Sequence, residues 1–145
     1  RLPVEVQQKL KQTMEHTAAN SAMTMVIALS YSSRWEITKA AHDIALEVAE
    51  GKLKAEDISE ETLSEHMATA FMPDPELLIR TGGEERISNY LLWQIAYSEL
   101  YFTETYWPDF DEEGLHRAIA DYQSRQRRFG KTEAQVEEEE KQQKP

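Results

Sequence analysis

The chain contains segments with an apolar residue at every third or fourth position and others with one at every second position. The first spacing is typical of an amphipathic helix, and the second of a strand with one buried face. The pattern predicts the order helix, strand, helix, helix, strand, helix, strand, helix. Helices that connect successive strands favour a parallel sheet, so the predicted fold class is α/β, with a largely parallel central sheet flanked by helices.

Capping residues and turn residues set the boundaries of these predicted elements. The predicted helices run from Pro3 to Asn20, from a cap at Ser33 to Gly51, from a cap at Ser59 through Met67, from Ser88 to Ser98, and from a cap at Asp109 or Asp111 to Phe129. The predicted strands are Met23 to Tyr31, Glu76 to Ile79 and Leu100 to Phe102. Between Ser88 and Ser98 little polar face is left, which favours a buried helix.

The apolar periodicity covers residues 1–130, which we expect to belong to a single domain. Residues 131–145 are polar, include the acidic run Glu137 to Glu140 and offer nothing to bury, so we expect a disordered acidic tail. The chain begins with Arg1 and not with Met, so we expect that it is cut from a longer protein.

The composition narrows the classes of partner. A net charge of -11 repels nucleic acid, so we expect no nucleic-acid partner, and any anion must be bound by local arginines. The chain has no cysteine, which excludes disulfides and thiolate chemistry and fits a reducing compartment. The longest apolar run, Met25 to Leu29, is far below the roughly 18 residues that a membrane-spanning helix needs.

Two arginines flank a Gly-Gly pair directly after the second predicted strand. Gly82 and Gly83 permit a sharp turn because glycine accepts positive φ, and backbone N–H groups in such a turn can face an anion. Arg80 and Arg86 can converge on one phosphate group with their guanidinium forks, and Ser88 adds a hydroxyl donor. A solvated turn explains the same residues, and no Walker or three-glycine dinucleotide pattern is present.

Two further features each admit two interpretations. Glu99 ends a nearly all-apolar predicted segment, where an unpaired carboxylate is costly, so it needs a partner. That partner is either Mg²⁺, which binds through one or two acids together with phosphates and waters, or a nearby arginine. The bulky face of the strand predicted from Met23 to Tyr31 suits either a hydrophobic tunnel or an ordinary core.

Four motifs occur in order: RTGGEERISN at 80–89, LLWQ at 91–94, ELYF at 99–102 and WPDF at 107–110. Together they resemble the C-terminal signature of the cis-prenyltransferase family, the family of undecaprenyl diphosphate synthase. The resemblance extends back through SYSSRW at 30–35 and forward to RRFG at 127–130, and leaves only the tail uncovered.

The resemblance implies a homodimeric α/β enzyme that adds isopentenyl diphosphate units, with cis double bonds, to farnesyl diphosphate. The implied product is the undecaprenyl diphosphate carrier used in cell-wall synthesis. The enzyme would be cytoplasmic, with peripheral contact at the inner membrane face through its lipid product.

The motifs also imply roles for particular residues. Arg80, Arg86 and Ser88 would hold isopentenyl diphosphate, and Glu99 would help bind Mg²⁺. Two further sets are implied at the ends of the resemblance: Arg128 and Gly130 match an Arg-x-Gly element that reaches into the partner subunit's active site, and Ile27 and Leu29 would line the tunnel for the growing chain.

Two departures from the family pattern stand out. The Asp-Gly-Asn-Gly-Arg segment, which supplies the main metal-binding aspartate, is absent, so the catalytic aspartate is expected upstream of Arg1. We expect the 145-residue chain by itself to be inactive. Where many members carry Tyr-Gly-Gly-Arg, this chain has Tyr31-Ser32-Ser33-Arg34, which places the tightness of that turn in question.

Two rival interpretations stay open at this point. A non-catalytic partner subunit would keep the fold and the Arg-x-Gly element, but it has no physical use for Arg80, Arg86, Ser88 and Glu99. A generic phosphate-binding regulator explains the arginines but not the bulky apolar strand.

Overall fold

The computed structural model describes residues 2–125, which form two units, residues 2–32 and residues 33–125. The first unit contains helix α1, Val4–Thr17. The helix predicted from Pro3 to Asn20 is therefore confirmed. Pro3 stands immediately before its first residue, where the missing N–H is tolerated.

The strand predicted from Met23 to Tyr31 is wrong. This segment follows α1 in the first unit and has no regular secondary structure, and the sheet of the described residues contains only two strands, both in the second unit. Alternating bulky residues favour an extended backbone, but a strand also needs a partner to complete its hydrogen-bond ladder. The side chains of Ile27 and Leu29 are 57% and 47% exposed.

The second unit contains three helices and a two-stranded parallel sheet. Its elements are α2 (Ser33–Ala49), α3 (Glu60–Glu65), β1 (Leu77–Arg80), β2 (Glu99–Phe102) and α4 (Glu112–Ser124), with short 3₁₀ turns at Ala55–Asp57 and Trp107–Asp109. In the sheet Leu77 pairs with Glu99, and Arg80 pairs with Phe102. The predicted α/β class with parallel strands is confirmed, and both strands lie within one residue of their predicted positions.

Local side-chain chemistry sets several helix ends. Ser59 accepts a hydrogen bond from the N–H of Thr62 and caps α3, as predicted. Of the two candidate caps of α4, the structure selects Asp111, whose Oδ1 accepts from the N–H of Gly114 at 2.9 Å. Gly51, two residues beyond the end of α2, has a φ of +71°, which glycine adopts without strain.

The helix predicted from Ser88 to Ser98 is wrong. The segment forms a series of turns, and three of its residues, Ser88, Asn89 and Leu91, have positive φ. A right-handed helix cannot contain such residues in its interior. Leu91 and Ile95 are nevertheless buried, so the apolar composition predicted burial correctly and the type of element incorrectly.

The core of the second unit is small. Its buried apolar side chains are Ala40, Ile44, Met67, Leu91, Ile95 and Ala118. They come from α2, from the segment after α3, from the turns before β2 and from α4. The turns between Ser88 and Ser98 are thus packed against the same core as the helices.

Candidate functional site

The turn after β1 has the backbone that its glycines predict. Gly82 and Gly83 have φ values of +85° and +73°. Their N–H groups donate to the carbonyls of Thr105 and Thr103, each at 2.9 Å. The expectation that these N–H groups face an anion is therefore wrong, because they continue the pairing between β1 and the segment after β2. Any anion at this turn must be bound by groups other than these two N–H groups.

Arg80 and Ser88 lie together. Arg80 is the last residue of β1, and its Nη1 donates to Oγ of Ser88 at 3.2 Å. The contact joins the end of the strand to the start of the irregular segment eight residues later. A guanidinium and a hydroxyl that already touch can bind neighbouring oxygens of one phosphate group.

Arg86 lies on the exposed part of the same connection. Its side chain is 69% exposed and forms an ion pair with Glu84. An exposed pair of this kind contributes at most about 1 kcal/mol, so an incoming diphosphate can replace Glu84 at low cost. The described contacts of Arg86 do not include Arg80 or Ser88, so only two of the three predicted diphosphate residues are in direct contact.

The backbone that carries Ser88 is strained. Ser88, Asn89 and Leu91 have φ values of +54°, +63° and +47°. Residues other than glycine in this region cost on the order of 1 kcal/mol each, so tertiary contacts must hold them. The first turn of α2 supplies these contacts: Ser33 N–H donates to the carbonyl of Asn89, and Arg34 N–H donates to Oδ1 of Asn89, each at 2.9 Å.

The predicted role of Ser33 as an N-cap is wrong. α2 begins at Ser33 itself, and its hydroxyl accepts from the N–H of Leu92 at 2.8 Å. The side chain is fully buried, so the bond has no competition from solvent. Residues of the segment from 88 to 98 therefore hold the start of α2, and Ser33 in turn holds that segment.

A buried carboxylate beside this contact was not anticipated from the sequence. Glu36, on α2, is 1% exposed. Its Oε1 accepts from the N–H and the hydroxyl of Thr69, and its Oε2 accepts from Nε2 of Gln94. A charge in this position is tolerated because several donors surround it. The available signal was its spacing, since Glu36 lies four residues before the buried Ala40 on the same face of the helix.

Glu99 forms a salt bridge with an arginine. Its Oε2 accepts from Nη1 of Arg125 at 2.9 Å, and that nitrogen also donates to the carbonyl of Leu100 at 3.0 Å. Asp121 pairs with the other terminal nitrogen of Arg125. The hydrogen bond to Glu99 raises the pKa of the Arg125 guanidinium, and Asp121 acts in the same direction. Of the two partners that the sequence left open for Glu99, the arginine is the one seen.

Glu99 and Arg80 lie at different ends of the sheet. The register pairs Glu99 with Leu77, three residues before Arg80, which corresponds to about 10 Å along the strand. Side chains alternate between the faces of a sheet, so Arg80 lies on the face opposite to Leu77 and Glu99. Within the described residues, the arginine-serine pair and the acid therefore form two separate groups.

The family described as "Putative undecaprenyl diphosphate synthase" matches residues 1–130 of this sequence. The chain belongs to this family. Among similar proteins, the isoprenyl transferase of Porphyromonas gingivalis is 53% identical over 136 residues, which is 94% of this chain and 54% of that protein. A Pseudomonas putida protein named ditrans,polycis-undecaprenyl-diphosphate synthase, (2E,6E)-farnesyl-diphosphate specific, is 50% identical over 92% of this chain and 53% of its own length.

Solved structures of this cis-prenyltransferase family have the same fold. Lavandulyl diphosphate synthase from Lavandula x intermedia, in complex with dimethylallyl diphosphate, matches with a TM-score of 0.86 and 40% identity over 90% of this chain and 56% of that chain. A probable undecaprenyl diphosphate synthase from Campylobacter jejuni matches with a TM-score of 0.74 and 36% identity over 90% of this chain and 59% of that chain. The chain spans about half the length of the curated relatives it matches.

Several predicted site features of this cis-prenyltransferase chain fall outside what the structure describes. Arg128 and Gly130, the predicted Arg-x-Gly element, lie beyond residue 125, as does the predicted acidic tail. In the described part, no helix is long and apolar enough to cross a membrane. The described residues also contain no group of three or more acidic or histidine side chains that could hold a metal by itself.

The surroundings of Glu99 fit a role as one ligand of Mg²⁺. Its side chain is 25% exposed, and its charge is balanced by Arg125. Because Mg²⁺ keeps several waters and binds through one or two carboxylates together with phosphate oxygens, a single acid of this kind fits as one member of a larger ligand set. The remaining ligands would have to come from substrate, water or other parts of the intact protein.

Proposed function

We propose that the intact protein is a cis-prenyltransferase that condenses isopentenyl diphosphate units onto farnesyl diphosphate to make undecaprenyl diphosphate. The observation that carries the proposal is the contact between Arg80 and Ser88 in a chain of this family, because it pairs two phosphate donors at the end of a parallel strand. The names of the relatives support the same chemistry, since one is farnesyl-diphosphate specific and another was solved with an allylic diphosphate.

Arg80, Arg86 and Ser88 hold the diphosphate of isopentenyl diphosphate in this proposal. Arg80 supplies a fixed guanidinium, since the strand and Ser88 restrain it. Arg86 is exposed and exchanges Glu84 for the substrate. Holding the diphosphate from two sides orients the double bond of isopentenyl diphosphate toward the allylic carbon, which lowers the entropic part of the barrier.

Glu99 is the proposed contribution of this chain to a Mg²⁺ site. The metal would balance charge on the departing diphosphate as the allylic C–O bond breaks. Arg125 donates a hydrogen bond to Glu99 and keeps its carboxylate at the start of β2. This role requires further ligands, which the expected aspartate upstream of Arg1 would supply.

The proposal includes a homodimer in which Arg128 and Gly130 reach into the active site of the partner subunit. Ile27 and Leu29 are proposed as walls of the tunnel for the growing apolar chain, and their exposure leaves their side chains accessible. The long product gives the enzyme its proposed peripheral contact with the membrane, because each added isoprene unit increases the apolar surface that prefers lipid.

The test replaces Arg80 by alanine in the intact protein, with Arg117→Ala as the matched control. Arg117 lies on α4 and forms an ion pair with Glu113, and its described contacts include neither Arg80 nor Ser88. We expect Arg80→Ala to raise KM for isopentenyl diphosphate about tenfold or more, because the variant loses one hydrogen bond to a charged group. The control leaves KM unchanged. An unchanged KM in Arg80→Ala would contradict the proposed site, and absence of any prenyl transfer by the intact protein would contradict the proposed function.

A further inference from the structure

The segment that carries Ser88 obtains its shape from the start of α2. Ser88 and Asn89 both adopt left-handed backbone conformations. The carbonyl of Asn89 accepts from Ser33 N–H, and its side-chain Oδ1 accepts from Arg34 N–H. Asn89 therefore caps α2 from a position 55 residues away in the sequence.

Asparagine suits both tasks at this position. It tolerates the left-handed region better than most residues, because its short polar side chain can form local hydrogen bonds. Its Oδ1 also satisfies one of the N–H groups that have no partner at the start of a helix. One side chain thus stabilises the strained backbone and ties it to a rigid helix of 17 residues.

We propose that Asn89 is a positioning residue for diphosphate binding, which it affects through Ser88 and Arg80. Ser88 precedes Asn89 directly, so its backbone position depends on where the cap holds Asn89. Ser88 Oγ in turn accepts from Arg80 Nη1 at 3.2 Å. The chain of contacts runs from α2 through Asn89 and Ser88 to the guanidinium, and the inference rests on the proposed function.

Three replacements in the intact protein separate the two tasks of Asn89. Asn89→Gly keeps the left-handed backbone and its carbonyl bond to Ser33 N–H, and removes the side-chain cap on Arg34 N–H. Asn89→Ala removes the cap and opposes the backbone conformation, whereas Asn89→Asp keeps both and adds a charge that a helix N-terminus favours. Ser59→Ala is the matched control, because it removes the cap of α3, a helix whose cap touches neither Arg80 nor Ser88.

We expect Asn89→Gly to raise KM for isopentenyl diphosphate about tenfold, and Asn89→Ala to raise it further. In both variants kcat and the KM for farnesyl diphosphate should change less than about threefold. Asn89→Asp restores KM to within about threefold of the parent value. Ser59→Ala lowers the melting temperature and leaves KM unchanged, which separates positioning from general stability.

The inference is overturned if Asn89→Gly keeps the parent KM, or if Ser59→Ala raises KM as much as Asn89→Gly does. The Arg80→Ala variant is measured in the same series to separate this result from the proposed function. If Arg80→Ala raises KM and Asn89→Gly has the same KM as the parent protein, only the role of Asn89 is rejected. A parent KM in both variants rejects the diphosphate site itself.

Discussion

Gly82 allows the chain to leave β1 in a turn immediately beyond Arg80. Its φ of +85° is unfavourable for any residue with a Cβ, and a Cβ built there would lie 3.7 Å from Cδ1 of Tyr106, an ordinary contact. The cost of a substitution therefore comes from the backbone and not from a clash. Gly51 has a similar φ of +71° with nothing within 4 Å, so it isolates the same backbone cost away from the site.

We expect Gly82→Ala and Gly51→Ala to lower the free energy of unfolding by similar amounts, about 1–2 kcal/mol each, because alanine is strained in the left-handed conformation that both positions require. Only Gly82→Ala should also raise KM for isopentenyl diphosphate, since its turn adjoins Arg80. Urea denaturation and steady-state kinetics of the intact protein measure the two effects. Equal KM values in the two variants would show that the turn does not position Arg80.

His66 connects α2 and α3 through both ring nitrogens. Its Nδ1 lies 2.7 Å from the carbonyl of Thr62, and its Nε2 lies 3.3 Å from Oε1 of Glu47. Both contacts are favourable together only when the ring carries two protons. The Thr62 carbonyl and the Glu47 carboxylate, aided by the charge of Asp43, raise the pKa of His66 above its ordinary value of 6.5, and desolvation opposes them.

Because the folded-state pKa of His66 is raised, its contribution to stability is fully present below pH 6.5 and is lost as pH rises through the folded-state pKa. We expect the difference in the free energy of unfolding between the parent and His66→Gln to shrink as pH increases through this window. Urea denaturation at several pH values measures it. His42→Gln is the control, since the His42 side chain is 68% exposed. A difference that grows with pH would contradict the interpretation.

Individual site residues could be predicted only where a local motif identifies them. Arg80 and Ser88 belong to one short motif, and the structure brings them into contact. Glu36 and Asn89 act through partners 33 to 58 residues away in the sequence, and no local pattern specifies such pairs. Glu99, on a strand, likewise has its partner Arg125 26 residues away in the sequence.

At the scale of elements, correct predictions came from segments whose own residues determine their structure. β1 and β2 are short apolar runs that end at polar or turn residues, and α2 ends near Gly51 as its sequence indicates. The two wrong predictions, Met23 to Tyr31 and Ser88 to Ser98, concern segments whose conformation depends on partners. Periodicity reports burial and cannot specify the hydrogen-bond partner or the sign of φ.

The ion pair between Glu99 and Arg125 joins β2 to the end of α4. We expect a double-mutant cycle with Glu99→Ala and Arg125→Ala to give a coupling energy of about 1 kcal/mol, because the pair is partly shielded from water. Urea denaturation of the intact protein without divalent metal measures it. The same cycle with Glu113 and Arg117, which are 78% and 60% exposed, should give a smaller value. Simple additivity at Glu99 and Arg125 would show that the pair does not join the two elements.

At the scale of the whole molecule, the chain spans about half of its relatives' length, and the predicted catalytic aspartate has no counterpart in it. We expect the 145-residue chain alone to incorporate no measurable labelled isopentenyl diphosphate into product, whereas the intact protein does so with farnesyl diphosphate as primer. Transfer by the chain alone would contradict this expectation. Failure of both proteins would favour the non-catalytic partner subunit.

The cap that Asn89 provides to α2 links residues 55 positions apart. Closing so long a stretch of chain is entropically costly, so contacts of this kind form late relative to local helices. During synthesis the segment from residue 88 onward emerges well after α2 has left the ribosome. If Asn89 positions Ser88 as proposed, we expect a nascent chain to form its arginine-serine pair only after that distant closure.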